Sequence, residues 1–302
     1  MGKGYRYGIP SLKRDFPTNE ACLEYLFDMH HQRKCSCGGT YSLMKDANRL
    51  RRCFQCSKCR FKVSPTAGTV FHKSSTPLTL WFHAILVFSN AKSGMSAQQM
   101  QRNLEVTYKC AYRILFRIRK ALKQSDTKLR GDVEIDTGYF GGKGDAGANN
   151  ERLSRVMARK AVVIVAVERG GRVRAEVTAN NTSETMTSFI KRNIETKLTS
   201  TLTDSSKVYI KSEKTHDRYA VDHHKGEYVR GDIHINTVET FFAHLKRSIK
   251  GTFKSLSKRH LQSYLDGFVF HYNNRHNDKE RFEVLLGMLL QPSKQLGIVS
   301  SS

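Results

Sequence analysis

Two sets of side chains in this sequence could do chemistry: three acids spread over its second half and a knot of cysteines near its start. Asp136 follows the alternating "VEI" of a strand-like stretch, where a charge costs stability unless it is solvated, paired or bound to a metal. Asp204 closes a later strand-like stretch, at the kind of sheet edge where ligands gather. Glu239 is the single carboxylate of "HINTVETFFAHLKRSIKGTF" (234–253), in which Val238, Phe241, Phe242, Leu245 and Ile249 fall at helical spacing. It borders that apolar face, in line with Lys246 two turns on. Carboxylates from a first strand, a fourth strand and a following helix suit two Mg²⁺ (or Mn²⁺) ions about 4 Å apart. One ion would activate an attacking oxygen and the other would stabilise a leaving one. Each acid also has an ordinary reading. Glu134 shares the parity of Asp136, Asp204 could cap the turn into "SSKVY", and Asn236 to Glu239 has the spacing of a capping box.

Five of the seven cysteines crowd into residues 35–59: Cys35, Cys37, Cys53, Cys56 and Cys59. Thiolates at such short spacing in a reducing compartment favour a structural Zn²⁺ over disulfides. The simplest site pairs Cys35 and Cys37 with Cys56 and Cys59, the glycines after Cys37 allowing a tight knuckle; Cys53 could replace one ligand. Cys22 and Cys110 stand alone and read as buried.

The elements that must position these groups follow from charge and periodicity. The net charge of +24 makes a polyanion the natural partner. It is uneven: residues 1–130 carry 24 Lys+Arg against 7 Asp+Glu, and residues 131–302 carry 27 against 20. The first part therefore reads as a nucleic-acid grip, and Lys246 in the second could reach a DNA phosphate. No apolar run approaches the roughly 18 residues of a membrane span, and the start lacks a secretory pattern, so the chain reads as intracellular. "PLTLWFHAILVFSN", "SAQQMQRNLEV" with Ser96 as N-cap, and "TYKCAYRILFRIRKALKQ" read as three helices. The last, studded with Arg113, Arg117, Arg119 and Lys120, resembles the reader of a helix-turn-helix, although a plain three-helix bundle with a basic face would look similar. Strands follow at 131–142, 161–171 and 172–179, then a helix over 183–198 capped by Ser183, then a short strand at 200–209. This order describes an α/β layer domain. The Gly- and Asn-rich stretch 143–160 reads as a loop.

The expected organisation is an N-terminal segment with a zinc ribbon (1–76), a helical helix-turn-helix-like region (77–130), a catalytic domain (131–290) and a tail (291–302). Four stretches, "FKVSPTAGTVFHKSSTPL", "VEIDTGYFGGK", "HHKGEYVRGDIHINTVETFFAHLKRSIKGTF" and "KRHLQSYLDGFVFHYNNR", together resemble the DDE transposases of bacterial insertion sequences. Within that family they resemble the zinc-ribbon branch related to Merlin elements.

That resemblance spans about Phe16 to Arg275 and implies an RNase H-like mixed sheet flanked by helices, with Asp136, Asp204 and Glu239 as the metal-binding triad. Asp204 and Glu239 lie 35 positions apart, and Lys246 matches the basic residue seven positions after the last acid. It further implies DNA cleavage at terminal inverted repeats, joining to target DNA, a homodimer or higher oligomer when two ends are held, and action in the cytoplasm at the nucleoid. His223, His224, His234 and Asn236 sit in a motif typical of the family without an assigned role. Two departures stand out: the first knuckle is C-x-C where C-x-x-C is usual, and Thr137 follows the first Asp where an acid is common. The competing readings are a domesticated DNA-binding protein that no longer cuts, and a metal-dependent nuclease of the same fold.

Overall fold

The computed structural model describes residues 6–44, 53–141, 160–212, 217–221, 229 and 231–292. They fall into two packing units, the first within Met1–Ala91, Met95–Lys123 and Asn274–Ser302, the second within Lys92–Gly94 and Gln124–Asn273. The loop expected at 143–160 and the tail expected at 291–302 lie almost wholly outside the described residues.

The first unit opens with two helices that the sequence reading did not assign, α1 (Ile9–Asp15) and α2 (Asn19–His30). Pro10 stands in the first turn of α1, where its missing N–H costs nothing, and the Thr18 hydroxyl accepts from the Ala21 N–H to start α2. A small antiparallel sheet follows, β1 (Tyr41–Leu43), β2 (Phe54–Cys56) and β3 (Lys62–Val63), in that spatial order. Phe27 of α2 stacks on Phe54 with ring centroids 4.0 Å apart, and the Arg33 guanidinium lies 5.0 Å and 5.3 Å from the two ring centroids. Next comes α3 (Leu78–Asn90), apolar nearly all round; Trp81, Phe82, Ala84, Ile85, Leu86 and Phe88 are buried, as a helix at the centre of a bundle requires. Ser96 and Thr107 cap α4 (Ala97–Leu104) and α5 (Tyr108–Ala121), accepting from the N–H groups of Gln99 and Cys110. The three residues between these helices begin with Glu105 in the left-handed region (φ 54°), which gives the tight helix-to-helix turn anticipated there.

The second unit is built on a five-stranded sheet. Its elements are β4 (Leu129–Phe140), β5 (Ala161–Glu168), β6 (Val173–Thr178), α6 (Ser183–Asn193), β7 (Ile194–Asp204), β8 (Asp217–Val221), α7 (Asn236–Ser248) and α8 (Leu261–Asn273). The strand order is β6-β5-β4-β7-β8; β5 and β6 run antiparallel as a meander, and β7 and β8 run parallel to β4. Alternation along β4 divides the core. Leu129, Val133 and Ile135 pack with Met186, Phe189 and Ile190 of α6, whereas Phe140 packs with Val238, Phe241, Phe242 and Leu245 of α7 and with Leu265 and Phe268 of α8. The helix expected over 183–198 ends at Asn193, and Ile194 begins the strand that reaches Asp204. Its cap is Thr182, whose hydroxyl accepts from the Thr185 N–H, rather than Ser183.

The last helix, α9 (Asp278–Leu290), belongs to the first unit, although the sequence reading grouped it with the catalytic stretch. Phe282 meets Phe82 of α3 with ring centroids 5.9 Å apart. The buried Arg281 guanidinium donates to the carbonyls of Ser89 and Asn274 and pairs with Asp278 at 3.0 Å. A buried cation with all of these acceptors fixes the helix end where its apolar face alone would allow sliding.

Candidate active site and metal centre

The sheet register brings the first two acids together. Glu134 of β4 pairs with Leu202 of the parallel β7. Two residues further along each strand, Asp136 and Asp204 therefore stand on neighbouring strands, at the carboxyl end of β7. Glu239 arrives from the first turn of α7 and Lys246 from its last turn, the Lys246 ammonium lying 5.9 Å from the Phe242 ring centroid. The helix can approach because residue 138 is glycine. A Cβ there would lie 2.7 Å from a Phe242 ring carbon, two residues past Asp136.

The other three groups act electrostatically on Asp136. Burial pushes the Asp136 carboxyl up to about 6; the Thr137 N–H, donating to it at 2.7 Å, opposes this, the charges of Asp204 and Glu239 raise it further, and Lys246 pulls the other way. Under these acids sits Tyr209, fully buried, whose hydroxyl burial and the charges of Asp204 and Asp136 hold well above its ordinary value. Arg218 braces the second acid: Nη2 donates to the Asp204 carbonyl at 2.8 Å, Nε donates to the Thr203 hydroxyl at 2.7 Å, and the guanidinium lies 5.4 Å from the Tyr209 ring centroid. Asp204 also caps its turn, accepting from the Ser206 N–H at 3.1 Å, so the ordinary reading of that residue holds beside the other.

The capping box proposed for Glu239 is absent. Ile235 occupies the cap position of α7, and no side chain next to it serves the helix. The amides of Thr237 and Val238 instead donate to Glu134, at 2.7 Å and 3.0 Å. Arg169, which the sequence reading passed over, donates from Nε to the same carboxylate at 2.8 Å. The parity shared by Glu134 and Asp136 was the one local hint of this, since the partners lie far along the chain. His234 Nδ1 stands 3.4 Å from Glu134; His223 and His224 lie outside the described residues.

In the first unit the sulfurs of Cys35, Cys37, Cys56 and Cys59 all lie within 4.8 Å of one another, with Cys35 and Cys59 at 3.7 Å and Cys37 and Cys56 at 3.5 Å. Four sulfurs at Zn–S distances of about 2.3 Å in a tetrahedron stand about 3.8 Å apart, so the donor set fits zinc. Gly38 has a φ of +80°, and a Cβ on Gly39 would lie 2.6 Å from the Cys56 sulfur, so this pair lets the short C-x-C knuckle close. The Cys37 N–H holds the Cys35 thiol down at about 6, whereas Cys59 in the same group is pushed up to about 12. Cys53 faces the Met44 sulfur at 3.4 Å and is not part of the group. Cys22 is buried, as expected, while Cys110 is only partly so and meets the Thr76 hydroxyl at 3.8 Å. Among the described residues the three carboxylates of the second unit do not converge as the sulfurs do.

On α5 the basic residues divide. Arg117 donates to the Val70 carbonyl and Arg119 to the Met95 carbonyl, and Arg113, though exposed, reaches the Thr76 hydroxyl at 3.0 Å. Exposed Tyr108, Tyr112 and Phe116 make a stripe at four-residue spacing that continues into Lys120. The Tyr108 and Tyr112 rings stack at 6.3 Å, and the Lys120 ammonium lies 5.8 Å from the Phe116 ring centroid.

Residues 128–273 match the family model described as "ISXO2-like transposase domain", nearly the span of the second unit. The chain is also 29% identical over 245 residues, 77% of its length and 82% of the relative's, to an uncharacterised protein in the transposable element ISH50 of Halobacterium salinarum. The resemblance to insertion-sequence transposases drawn from the motifs therefore stands on two independent comparisons. Among the described residues no helix is long and apolar enough to cross a membrane.

Proposed function

We propose that this protein is a DDE-type transposase that binds the terminal inverted repeats of its insertion sequence, cuts there and joins the freed end to target DNA. The observation that carries the reading is that sheet register sets Asp136 beside Asp204 and the following helix brings Glu239 and Lys246 close enough to act on the Asp136 carboxyl, all within the span that matches a transposase domain. We read the mixed sheet, with one acid on its central strand and the next on the parallel neighbour, as RNase H-like. The donor set fits hard divalent cations: it is all carboxylate oxygen, and the repulsion that raises Asp136 is what a bound cation relieves. Asp136, Asp204 and Glu239 would hold Mg²⁺ or Mn²⁺, which when bound would activate the attacking oxygen and neutralise charge on the leaving one.

The chain's own residues do the rest. Lys246, on the helix that carries Glu239, offers a cation to a backbone phosphate, and Arg218 keeps Asp204 in place. On α5 the exposed Arg113, Lys120 and the aromatic stripe face the duplex, whereas Arg117 and Arg119 hold the framework that presents them. Zinc on Cys35, Cys37, Cys56 and Cys59 stiffens the ribbon beside that framework. Synapsis of two ends calls for a dimer or larger assembly, and the double-stranded DNA substrate places the work in the cytoplasm, at the nucleoid.

The test is Mg²⁺- or Mn²⁺-dependent cleavage and strand transfer on a labelled duplex carrying the flanking terminal repeat, comparing wild type with Asp204→Asn and Glu239→Gln. Joined product in the wild type, lost in both variants while end binding persists, is the expected result. Cleavage without joining would make the protein a nuclease, and tight end binding without cutting a DNA-binding protein that has given up its chemistry.

A further inference from the structure

We infer that Glu134 is a positioning residue. Its buried carboxylate anchors the first turn of α7 to the strand that carries Asp136, and so sets where Glu239 stands. The inference rests on the triad reading above.

Glu134 has no exposed surface, and a carboxylate removed from water survives only with a full set of partners. It has them: the amides of Thr237 at 2.7 Å and Val238 at 3.0 Å, the Thr237 hydroxyl at 2.9 Å, and Arg169 Nε at 2.8 Å. The first amides of a helix lack partners within it, and the helix dipole favours an anion beside them. Most helices meet this need with a neighbouring side chain. Here Ile235 offers no acceptor, and the cap comes from a strand more than a hundred positions earlier.

Arg169 completes the clamp. Beyond its bond to Glu134 it donates Nη1 to the Asp232 carbonyl and Nη2 to the His234 carbonyl, both at 2.9 Å, fixing the segment that leads into the helix. Its own amide donates to the Asp132 carbonyl on β4 at 3.0 Å, so the clamp is tied to the strand at two levels.

The placement has a specific consequence. Asp136 and Asp204 are held relative to each other by sheet register, and Glu239 is the member that comes from a separate element. Glu239 directly follows Val238, so the turn that Glu134 grips is the turn that delivers the third carboxylate. Losing the grip loosens one ligand out of three. A merely structural salt bridge would affect the stability of the sheet instead.

The experiment measures Mn²⁺ affinity of the full chain without DNA, from the paramagnetic resonance of free Mn²⁺, beside thermal melting. The variants are Glu134→Ala, Glu134→Gln and Thr237→Ala, with Val173→Ala, a buried core change on β6, as a control for destabilisation. Affinity is expected to fall by roughly 10- to 100-fold in Glu134→Ala, the range for partners that orient metal ligands. Glu134→Gln, which keeps an acceptor for the two amides, should lose less, and Val173→Ala should melt earlier yet bind Mn²⁺ as the wild type does. Should Glu134→Ala not fold, Glu134→Gln and Thr237→Ala carry the test, and both must bind more weakly. Wild-type Mn²⁺ affinity in folded Glu134 variants overturns the inference and leaves the triad standing. A wild type that binds no Mn²⁺ overturns the triad and the inference with it.

Discussion

The cysteine group of the first unit and the acidic group of the second both gather metal-ligating side chains, but they are built in opposite ways. The sulfurs come from two knuckles within 25 positions of one another, on turns closed by their own backbone bonds: the Cys35 N–H donates to the Gly39 carbonyl at 2.8 Å and the Cys56 N–H to the Phe61 carbonyl at 2.9 Å. With Cys59 pushed up to about 12 the sulfurs need not all be charged at once, so they can meet before any ion arrives, and all four are within 4.8 Å. The acids come from residues 136, 204 and 239, held by a sheet register, a helix and a clamp. Burial first, and then the charges of Asp204 and Glu239, raise the Asp136 carboxyl. A closed tetrahedral set suits a structural ion, whereas carboxylates drawn from separate elements can leave room for substrate oxygens.

The largest expected effect separates the two sites by how they release their ions. Mild EDTA treatment should bring cleavage to background and leave zinc content and melting unchanged, with Mg²⁺ or Mn²⁺ restoring activity in full. Metal analysis beside a cleavage assay checks this. Loss of zinc and of fold under the same treatment would show that the two sites do not differ in kind.

How much of each site could be read from the sequence follows the same division. The grouping of Cys35, Cys37, Cys56 and Cys59 was legible because all four lie close in the chain, and the structure leaves out Cys53, as the simplest pairing did. Asp136, Asp204 and Glu239 were legible as positions on a strand, a strand end and a helix, because period and turn residues reveal elements. The clamp was not. Glu134 is joined to residues 169, 237 and 238 through pairing that no local pattern encodes. The boundary at Asn193 was misjudged for a related reason: Ile194 continues the helical spacing of Ile190, and only its pairing with Leu129 of β4 makes it a strand residue. Likewise the helical spacing of Arg113, Arg117 and Arg119 says nothing about which of them meet carbonyls; the distant acceptors at Val70 and Met95 decide that.

A ligand substitution sharpens the contrast next. Cys56 is buried, and its sulfur stands 3.5 Å from that of Cys37. Cys56→Ser replaces a soft ligand at the heart of a closed site, so zinc affinity should fall by more than about a hundredfold and the ribbon's protection from proteolysis should go with it. Because the second unit has its own core, its hydrogen-exchange protection should be unchanged. Equal loss of protection in both units would mean that the ribbon supports the whole chain.

The smallest effect bears on the strain in the acidic site. With the Asp136 carboxyl raised from 3.8 to about 6, the folded chain holds that proton more tightly than the unfolded one does. The associated stability is complete below about pH 4 and is lost as pH rises through about 6. Above that range the ionised carboxyl is a burden, which Asp136→Asn removes while keeping an acceptor for the Thr137 N–H. At about pH 7.5 without divalent ions the variant should therefore be more stable than the wild type, by on the order of 3 kcal/mol. The difference should fade as pH falls below about 4, where the wild-type carboxyl is neutral too. Saturating Mn²⁺ should close the gap from the other side, since an ion at about a hundred times its Kd adds about 2.7 kcal/mol to the wild type alone. Denaturant melts across pH, with and without Mn²⁺, decide it. If Asp136→Asn is no more stable than the wild type near pH 7.5, burial and the neighbouring acids do not burden the ionised Asp136 carboxyl.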